Sequence, residues 1–322
     1  NIMWIVLIIV LLAAFLLVLK AAEIFVNNLV DLGSYFGVSE ILLGITASAI
    51  GTSLPEFGSA MIAILTGNPD IGVGTVLGAN MWNIGGILAI SAAVAGPILS
   101  QRVAFKRDGL MALITAVILL AFIVVFREIN VFAGIVLIAA YGIYTYFLFI
   151  HEKKEKENQK EDKFKINLTT FNLSKKVFGL LLGLLGLAIG CRIIVYCTVE
   201  LSVIFSLSAM FAGILLAFGT TSPEFFTVLT SARRGLSSLA IGTVLGSNIF
   251  NIMIGLGVPA LLATVPVDNL AIIYDGPALI LITILLLFLL SRNNKLSKRE
   301  GLILLGIYVI YLSFRIFMMI ST

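Results

Sequence analysis

Histidine, cysteine and charge are all scarce in this sequence, and each scarcity excludes a class of site. The only histidine is His151, in a polar stretch, which excludes an imidazole-based metal site and a buried histidine proton relay. The two cysteines, Cys191 and Cys197, lie in one apolar segment with neither a CxxC nor a zinc-ligand spacing, so they are interpreted as small packing residues. Charged residues make up 12% of the chain, about half the share found in a soluble domain.

Apolar residues take the place of the missing charge. They make up 60% of the 322 residues, and the mean hydropathy is +1.13. A core formed by a chain of this length cannot enclose so many apolar side chains, so the surplus must face lipid. The composition therefore predicts an integral membrane protein in contact with the lipid bilayer and excludes a soluble one.

Ten apolar runs are long enough to cross about 30 Å of hydrocarbon as helices. The first run lacks a basic leading region and outlasts the apolar core of a signal peptide, so it is interpreted as the first span. The predicted fold class is an all-α membrane protein with ten transmembrane helices. The predicted spans are 3–33, 36–66, 70–97, 104–126, 129–150, 176–206, 209–232, 237–264, 270–291 and 300–320.

Lysine and arginine are unevenly distributed over the loops between these spans. When the N-terminus is placed outside, the inside loops hold all but four of the 21 basic residues. The exceptions are Arg127, in an outside loop, and Lys20, Arg192 and Arg315, within spans. The positive-inside rule then predicts a multi-pass protein of the cell membrane with both termini outside and the central loop, 151–175, in the cytoplasm.

Two segments of the chain recur with one shared shift of 168 positions. "IGTSLPEF" at 50–57 returns as "FGTTSPEF" at 218–225. "VGTVLGANMWNI" at 73–84 returns as "IGTVLGSNIFNI" at 241–252. Two such matches at one shift indicate an internal duplication.

The duplication and the span count together predict an inverted repeat. Each half holds five spans, and because five is odd, the second half enters the membrane from the opposite side. We therefore expect two inverted five-helix repeats, residues 1–150 and 176–322, with repeated motifs at about 45–90 and 213–257. Inverted repeats are typical of secondary transporters, whose sites lie near the membrane midplane where the repeats meet.

Each copy of the repeated PEF motif places a glutamate inside an apolar span, Glu56 in the first repeat and Glu224 in the second. A charge at this depth is costly and usually marks function. The alternative is a structural ion pair. Among the basic residues within spans, Lys20 and Arg192 are the candidate partners, and neither has a counterpart in the other repeat.

A proline precedes each glutamate, at Pro55 and Pro223. Proline removes a backbone N–H and clashes one turn back, so the helix is expected to break near Ala49–Thr52 and near Ala217–Thr220. Carbonyls freed within a membrane need a partner, and a bound cation provides one. Hydroxyl and amide oxygens accompany these breaks, from Thr52, Ser53, Thr220, Thr221, Asn83 and Asn251. Alternatively, the hydroxyls bond back to their own helix and the amides link neighbouring helices.

These candidate ligands are all oxygens, which hard cations prefer. Calcium takes about six to eight oxygens in flexible geometry, whereas zinc and copper favour the thiol and imidazole ligands that are absent here. The two carboxylates carry two negative charges, which one calcium ion or two sodium ions neutralise. The ligand set therefore favours a transporter that exchanges calcium for sodium, with no cofactor, over an enzyme.

The repeated motifs resemble the two alpha-repeats of the sodium/calcium exchangers, in the calcium/cation antiporter superfamily. The resemblance is carried by "GTSLPEF" and "GTTSPEF", each followed about twenty residues later by "GANMWNI" or "GSNIFNI". It implies ten helices, alternating access, and sites for calcium and sodium ions between spans 2, 3, 7 and 8. At matching motif positions it implies that Glu56 and Glu224 are the central carboxylates. The other ligands that it implies are Ala49, Thr52, Ser53, Ala217, Thr220, Thr221, Asn83, Asn251 and Ser247.

Two positions depart from the family pattern. Relatives often have an aspartate where this chain has Asn251, which argues against potassium dependence. They commonly have a serine where this chain has Ala79, the repeat counterpart of Ser247. The second departure removes a hydroxyl from one sodium site, which puts the family's usual sodium stoichiometry in doubt.

Other functions stay open on the sequence alone. A proton-coupled or other divalent-cation antiporter of the same superfamily would share this architecture, although proton-coupled relatives resemble "GNAVE" where this chain has "GTSLPE". A cation channel would conduct without exchange, and a receptor or structural protein would lack carboxylate-dependent cation binding. The sequence indicates neither nucleic-acid binding nor an obligate protein partner.

Overall fold

The computed structural model describes residues 3–100, 102–158, 172–204 and 218–321. Helices account for almost all of these residues. In chain order they are α1 (Met3–Phe36), α2 (Glu40–Leu43), α3 (Ala49–Thr52), α4 (Leu54–Leu65), α5 (Pro69–Trp82), α6 (Ala89–Ala95), α7 (Arg102–Phe126), α8 (Val131–Asn158), α9 (Leu173–Ile204), α10 (Ser222–Arg233), α11 (Ser237–Met253), α12 (Gly257–Leu262), α13 (Gly276–Asn293) and α14 (Lys298–Ser321).

Three wide π-helical turns interrupt this series. Gly44–Ser48 joins α2 to α3, Asn83–Leu88 joins α5 to α6, and Ala271–Asp275 leads into α13. Such turns add a residue to the helical repeat and often occur at functional sites. Two of the three directly adjoin the repeated motifs of the sequence.

The membrane architecture agrees with the sequence in class. Among the described residues, eight helical stretches are long and apolar enough to cross a membrane, or nine if the bent pair Glu40–Thr52 and Leu54–Leu65 counts as one span. The all-helical membrane protein is therefore confirmed. The predicted seventh span, 209–232, begins outside the described residues, so the count of ten stays a prediction.

The second predicted span, 36–66, is not one straight helix. It bends by 47° between Glu40–Thr52 and Leu54–Leu65. The break falls at Ser53, whereas residues 49–52 are helical. The predicted break is thus present, but one residue later than the stretch predicted to unwind, because the helix resumes with Pro55 in its first turn, where no N–H is needed.

Helices α1 and α9 pack along each other in antiparallel directions and form an apolar cluster with Leu43, Phe226 and Leu239 of neighbouring helices. Their close approach depends on glycines of α9. A Cβ added at Gly183 would lie 2.6 Å from the backbone nitrogen of Phe25, and one at Gly190 would lie 2.4 Å from the Val18 side chain. The Lys176 ammonium and the Asp31 carboxylate join the two helices by an ion pair of 2.6 Å. The other described helices surround a second, larger apolar core.

Two short antiparallel strand pairs connect loops at the ends of the helices. Strand β1 (Ile98–Leu99) pairs with β4 (Lys295–Leu296), and β2 (Glu128–Ile129) pairs with β3 (Val265–Pro266). A shift of 167 positions converts β1 into β3 and β2 into β4. It also converts the register of the first pair into that of the second.

Candidate cation site

Two equivalent helix breaks bring the glutamates of the repeated motifs into the protein interior. Ser53 (φ −86°, ψ 3°) and Thr221 (φ −84°, ψ 4°) have almost the same backbone conformation, and each precedes a helix with proline in its first turn. Glu56 and Glu224 lie in the first turns of these helices, α4 and α10, where the helix dipole favours a negative charge. The two carboxylates are buried (0% and 1% exposed) and interact directly with each other.

Hydroxyls from the first repeat lie against the second carboxylate. Ser53 Oγ donates a hydrogen bond of 2.7 Å to Glu224 Oε1. The Thr52 hydroxyl also contacts Glu224 and donates 2.9 Å to the carbonyl of Ser48. The sequence left back-bonding to the helix and a place in the cation site as alternatives for this hydroxyl. In the structure the Thr52 hydroxyl bonds back to its helix and also borders the carboxylate.

Four asparagines form a hydrogen-bonded network between α5 and α11. Asn80 Nδ2 donates to the carbonyl of Asn248 (2.9 Å), and Asn248 Nδ2 donates to the carbonyl of Asn80 (3.1 Å). Asn83 Nδ2 donates to Asn248 Oδ1 (2.9 Å), and Asn251 Nδ2 donates to Asn80 Oδ1 (3.1 Å). Every bond joins the two repeats, and the pattern maps onto itself when 168 is added to the first-repeat positions.

Several buried oxygens in this region have no hydrogen-bond donor among the described residues. Leaving such an atom unpaired costs about 1–3 kcal/mol, and more when it is charged, so a cluster of them indicates a missing partner. All of them are acceptors suited to a hard cation. They are Glu56 Oε1 and Oε2, Glu224 Oε2, Asn83 Oδ1, Asn251 Oδ1 and Ser247 Oγ.

No described basic residue balances the negative charge that these carboxylates carry when ionised. Within the described ranges, no lysine or arginine forms an ion pair with Glu56 or Glu224. The same residues contain no group of three or more His, Cys, Asp and Glu side chains that could hold a metal. The candidate ligands are thus two carboxylates surrounded by amide and hydroxyl oxygens, not an acid-rich or imidazole cluster.

The positions of the remaining predicted ligands give less support to a cation site. The carbonyl of Ala49 accepts a 3.0 Å hydrogen bond from the Ser53 amide, so the break does not leave it unpaired. Thr220 lies half-buried in a helical turn before the second break, and Thr221 Oγ1 donates to the carbonyl of Phe218 at 3.2 Å. Ala217 lies outside the described residues.

A cavity of about 170 Å³ reaches this region from one side. Its lining includes Ala79 and Thr221 together with the charged pair Asp275 and Arg315. Trp82 also lines it, and its ring lies edge-on to that of Phe218 at 4.5 Å. A cavity of this size has room for several water molecules, and Thr221, Asp275 and Arg315 offer them polar partners. Ala79 is therefore next to a space that water can occupy.

Sequence reasoning missed eight polar residues that are buried or partly buried. Asn80 and Asn248 were visible as the first asparagines of the repeated twelve-residue motif, but only the second asparagines were selected. The others form two clusters. Tyr144 and Arg107 bond Asp108, with Tyr144 Oη at 2.9 Å, and Tyr311 and Arg315 bond Asp275, with Tyr311 Oη at 2.8 Å. Each tyrosine follows its aspartate by 36 positions, which is the sequence signal that could have identified both pairs.

Comparisons with known proteins agree on one family. The family model described as sodium/calcium exchanger protein matches residues 6–150 and 175–317. Sodium/calcium exchanger MaX1 of Methanosarcina acetivorans is 28% identical, over 94% of this chain and 96% of that protein. Inner membrane protein YrbG of Escherichia coli is 30% identical, over 94% of each chain. A structure of the sodium-calcium exchanger NCX_Mj, soaked with 10 mM Na+ and 10 mM Sr2+, has a TM-score of 0.82 at 25% identity and covers 96% of this chain and 98% of that one.

Proposed function

Because this chain belongs to the sodium/calcium exchanger protein family, we propose that it is an antiporter that exchanges calcium for sodium across a membrane by alternating access. The observation that carries the proposal is the pair Glu56 and Glu224. These carboxylates are buried, adjacent and surrounded by oxygens that lack donors. Two adjacent buried charges repel each other, and a bound cation offsets both that repulsion and the loss of water.

The same pair accounts for exchange rather than binding alone. One calcium ion or two sodium ions neutralise the two carboxylates, so either load permits the site to close. An empty site would leave two charges unneutralised in a low-dielectric interior, which makes closure without cargo unfavourable. Calcium and sodium therefore compete for one set of oxygens and cross the membrane in alternation.

We assign the ligands on the same basis. Glu56, Glu224, Asn83, Asn251 and Ser247 supply the buried oxygens without donors. The hydroxyls of Thr52, Ser53, Thr220 and Thr221 and the carbonyls of Ala49 and Ala217 complete the set that the motif positions imply. Since position 79 is alanine and position 251 is asparagine, this set has one hydroxyl and one carboxylate fewer than the family pattern, which favours fewer bound sodium ions and no potassium requirement.

The architecture that we propose is ten spans in two inverted five-helix repeats, 1–150 and 176–322, joined by the cytoplasmic segment 151–175. The support is that structural features of one repeat recur in the other when the residue numbers are shifted by 167 or 168. The shift relates the two helix breaks, the four asparagines, the two strand pairs and the two aspartate–tyrosine pairs. Repeats with so many equivalent contacts at their interface are what an inverted-repeat transporter requires.

The orientation that we propose has both termini outside. The strand pairs support it, because loops that pair must lie on one side of the membrane. Strands β1 and β4 belong to loops rich in lysine and arginine, around Arg102 and Lys295, whereas β2 and β3 belong to the loops with few basic residues. The alternation of basic loops and the strand pairing are thus consistent with each other.

The test is calcium flux into proteoliposomes with Glu56→Gln and Glu224→Gln. An outward sodium gradient should drive calcium uptake by the unchanged protein, and each substitution should abolish it by removing half of the site charge. Glu23→Gln is the matched control, since Glu23 lies in α1, is 44% exposed and is paired with Lys20. Its flux should be unchanged.

The outcome also separates the alternatives. Calcium uptake driven by a pH gradient alone would indicate a proton-coupled antiporter. Currents that persist without a counter-ion gradient would indicate a channel. Sodium-driven flux that survives either glutamine substitution would contradict the assignment of the site.

A further inference from the structure

Asn80 and Asn248 each use both ends of the side-chain amide: Nδ2 donates a hydrogen bond and Oδ1 accepts one. The Nδ2 group of each donates to the backbone carbonyl of the other, at 2.9 and 3.1 Å. Because the donor end is fixed in this way, the Oδ1 end of each amide is fixed as well. Both side chains are buried, with Asn80 at 0% and Asn248 at 4% exposure.

The fixed oxygens hold the two ligand asparagines from the opposite repeat. Asn80 Oδ1 accepts from Asn251 Nδ2 at 3.1 Å, and Asn248 Oδ1 accepts from Asn83 Nδ2 at 2.9 Å. An asparagine amide has nearly the same shape after a half-turn that exchanges its oxygen and nitrogen, so only its hydrogen bonds choose between the two orientations. Here the bonds engage the nitrogen and leave Asn83 Oδ1 and Asn251 Oδ1 without donors.

We propose that Asn80 and Asn248 are positioning residues of the cation site. They do not touch the ion. Each keeps the amide of a ligand asparagine from turning its N–H₂ group toward the ion, where two donor hydrogens would repel a cation. This inference rests on the proposed function, because it assumes that Asn83 and Asn251 bind the transported ions.

The hydrogen bonds predict a crossed pattern of dependence. Asn80 acts through Asn251 and Asn248 acts through Asn83, so each repeat orients a ligand of the other. If the two residues only joined α5 to α11, removing either one would affect both ligands alike. Positioning and simple helix cross-linking therefore differ in which pairs of substitutions are coupled.

The experiment is calcium binding to the full chain in detergent by titration calorimetry, with folding checked by thermal unfolding. Asn80→Ala and Asn248→Ala should each weaken calcium binding by about tenfold, the usual cost of losing a residue that orients a metal ligand. The control is Asn28→Ala, since Asn28 lies in α1 and bonds only its own helix at the Ile24 carbonyl in the described structure. Its calcium affinity should equal that of the unchanged protein.

Double substitutions supply the decisive comparison. Asn80→Ala should add nothing to the effect of Asn251→Ala but should add its full effect to that of Asn83→Ala. Asn248→Ala should show the reverse. Such crossed non-additivity measures coupling between particular pairs.

Three results would overturn the proposal. They are unchanged calcium affinity in both single variants, additive effects in all four pairs, and failure of both single variants to fold, which would assign the residues to helix cross-linking. The glutamine substitutions at Glu56 and Glu224 keep this outcome separate from the proposed function. If those abolish exchange while the crossed pattern is absent, only the positioning role is wrong.

Discussion

Ser53 of the first repeat donates a hydrogen bond from its hydroxyl to Glu224 Oε1 of the second repeat, at 2.7 Å. The two carboxylates of the site are consequently not equivalent. Glu224 has one oxygen engaged by a donor, whereas neither oxygen of Glu56 has a donor among the residues that the structure describes. A site built by two related repeats thus presents an asymmetric pair of acids, with Glu56 the more available to a bound cation.

Ser53→Ala tests that relationship. The substitution removes a hydrogen bond to a carboxylate, worth about 1.5–3 kcal/mol, and with it a candidate hydroxyl ligand. We expect the calcium concentration for half-maximal exchange to rise by about tenfold or more. The measurement is sodium-driven calcium uptake over a range of calcium concentrations.

The control for this prediction is Ser59→Ala. Ser59 lies in α4, the helix that Ser53 precedes, and is exposed. Its substitution should leave the half-maximal concentration unchanged. Equal effects of the two substitutions would show that the Ser53 hydroxyl has no particular role at Glu224.

Ala79 and Ser247 are repeat counterparts that differ by one hydroxyl. Ser247 Oγ is buried without a donor, and Ala79 lines the cavity beside Thr221. Ala79→Ser should therefore add a ligand oxygen and lower the sodium concentration for half-maximal calcium exchange by several-fold. Ser247→Ala should raise it. If exchange by both variants depends on sodium as it does in the unchanged protein, these positions do not belong to the sodium sites.

The sequence predicted the parts of this site that depend on local chemistry. Proline before glutamate predicted a helix break, and charge within an apolar span selected Glu56 and Glu224 as candidate ligands. It did not predict which oxygens are free, because that depends on contacts between segments far apart in the chain. Asn80 and Asn83 are both buried asparagines in one motif, and only the bonds across to Asn248 distinguish an orienting residue from a candidate ligand.

In the fold, too, the sequence predicted the features that depend on local chemistry but not those that depend on distant contacts. Span length and basic loops predicted an all-helical membrane protein, because hydrocarbon thickness and charge act on each span separately. The location of the break at Ser53 and the π-helical turns were not predictable in this way. They are set by tertiary packing, which locally outweighs the intrinsic preference for a regular helix.

Two aspartate–tyrosine pairs should stabilise the fold without forming the site. Tyr144 donates to the fully buried Asp108 and Tyr311 donates to Asp275, each between helices of the same half. Tyr144→Phe and Tyr311→Phe should each lower the free energy of unfolding by about 1–3 kcal/mol, since each leaves a buried carboxylate with one donor fewer. Thermal unfolding in detergent measures the change.

Tyr146→Phe is the control for these pairs. Tyr146 lies two positions from Tyr144 on the same helix and is 64% exposed. Its substitution should leave the unfolding temperature unchanged, while calcium affinity should stay the same in all three variants. Tyr144 is far from Glu56 in the sequence. If Tyr144→Phe lowered the calcium affinity, Asp108 would belong to the cation site.

Gly183 sets the spacing between α1 and α9, and this spacing should govern transport rather than ion binding. The α1–α9 pair supplies most of the smaller apolar cluster and none of the proposed ligands. It nevertheless contacts the helix of Glu224, since the rings of Phe15 and Phe226 pack edge-on at 6.0 Å. A shift of this pair would therefore be transmitted to α10.

Gly183→Leu places a side chain where a Cβ alone would lie 2.6 Å from the Phe25 backbone, so α1 and α9 must separate. We expect sodium-driven calcium flux to fall by at least tenfold while calcium affinity in detergent changes by less than about twofold, because the ligands lie on other helices. Gly142→Ala is the control, since a Cβ there meets no described atom within 4 Å. Equal losses of flux and affinity would contradict the separation of roles, because they would place the α1–α9 contact within the ion site itself.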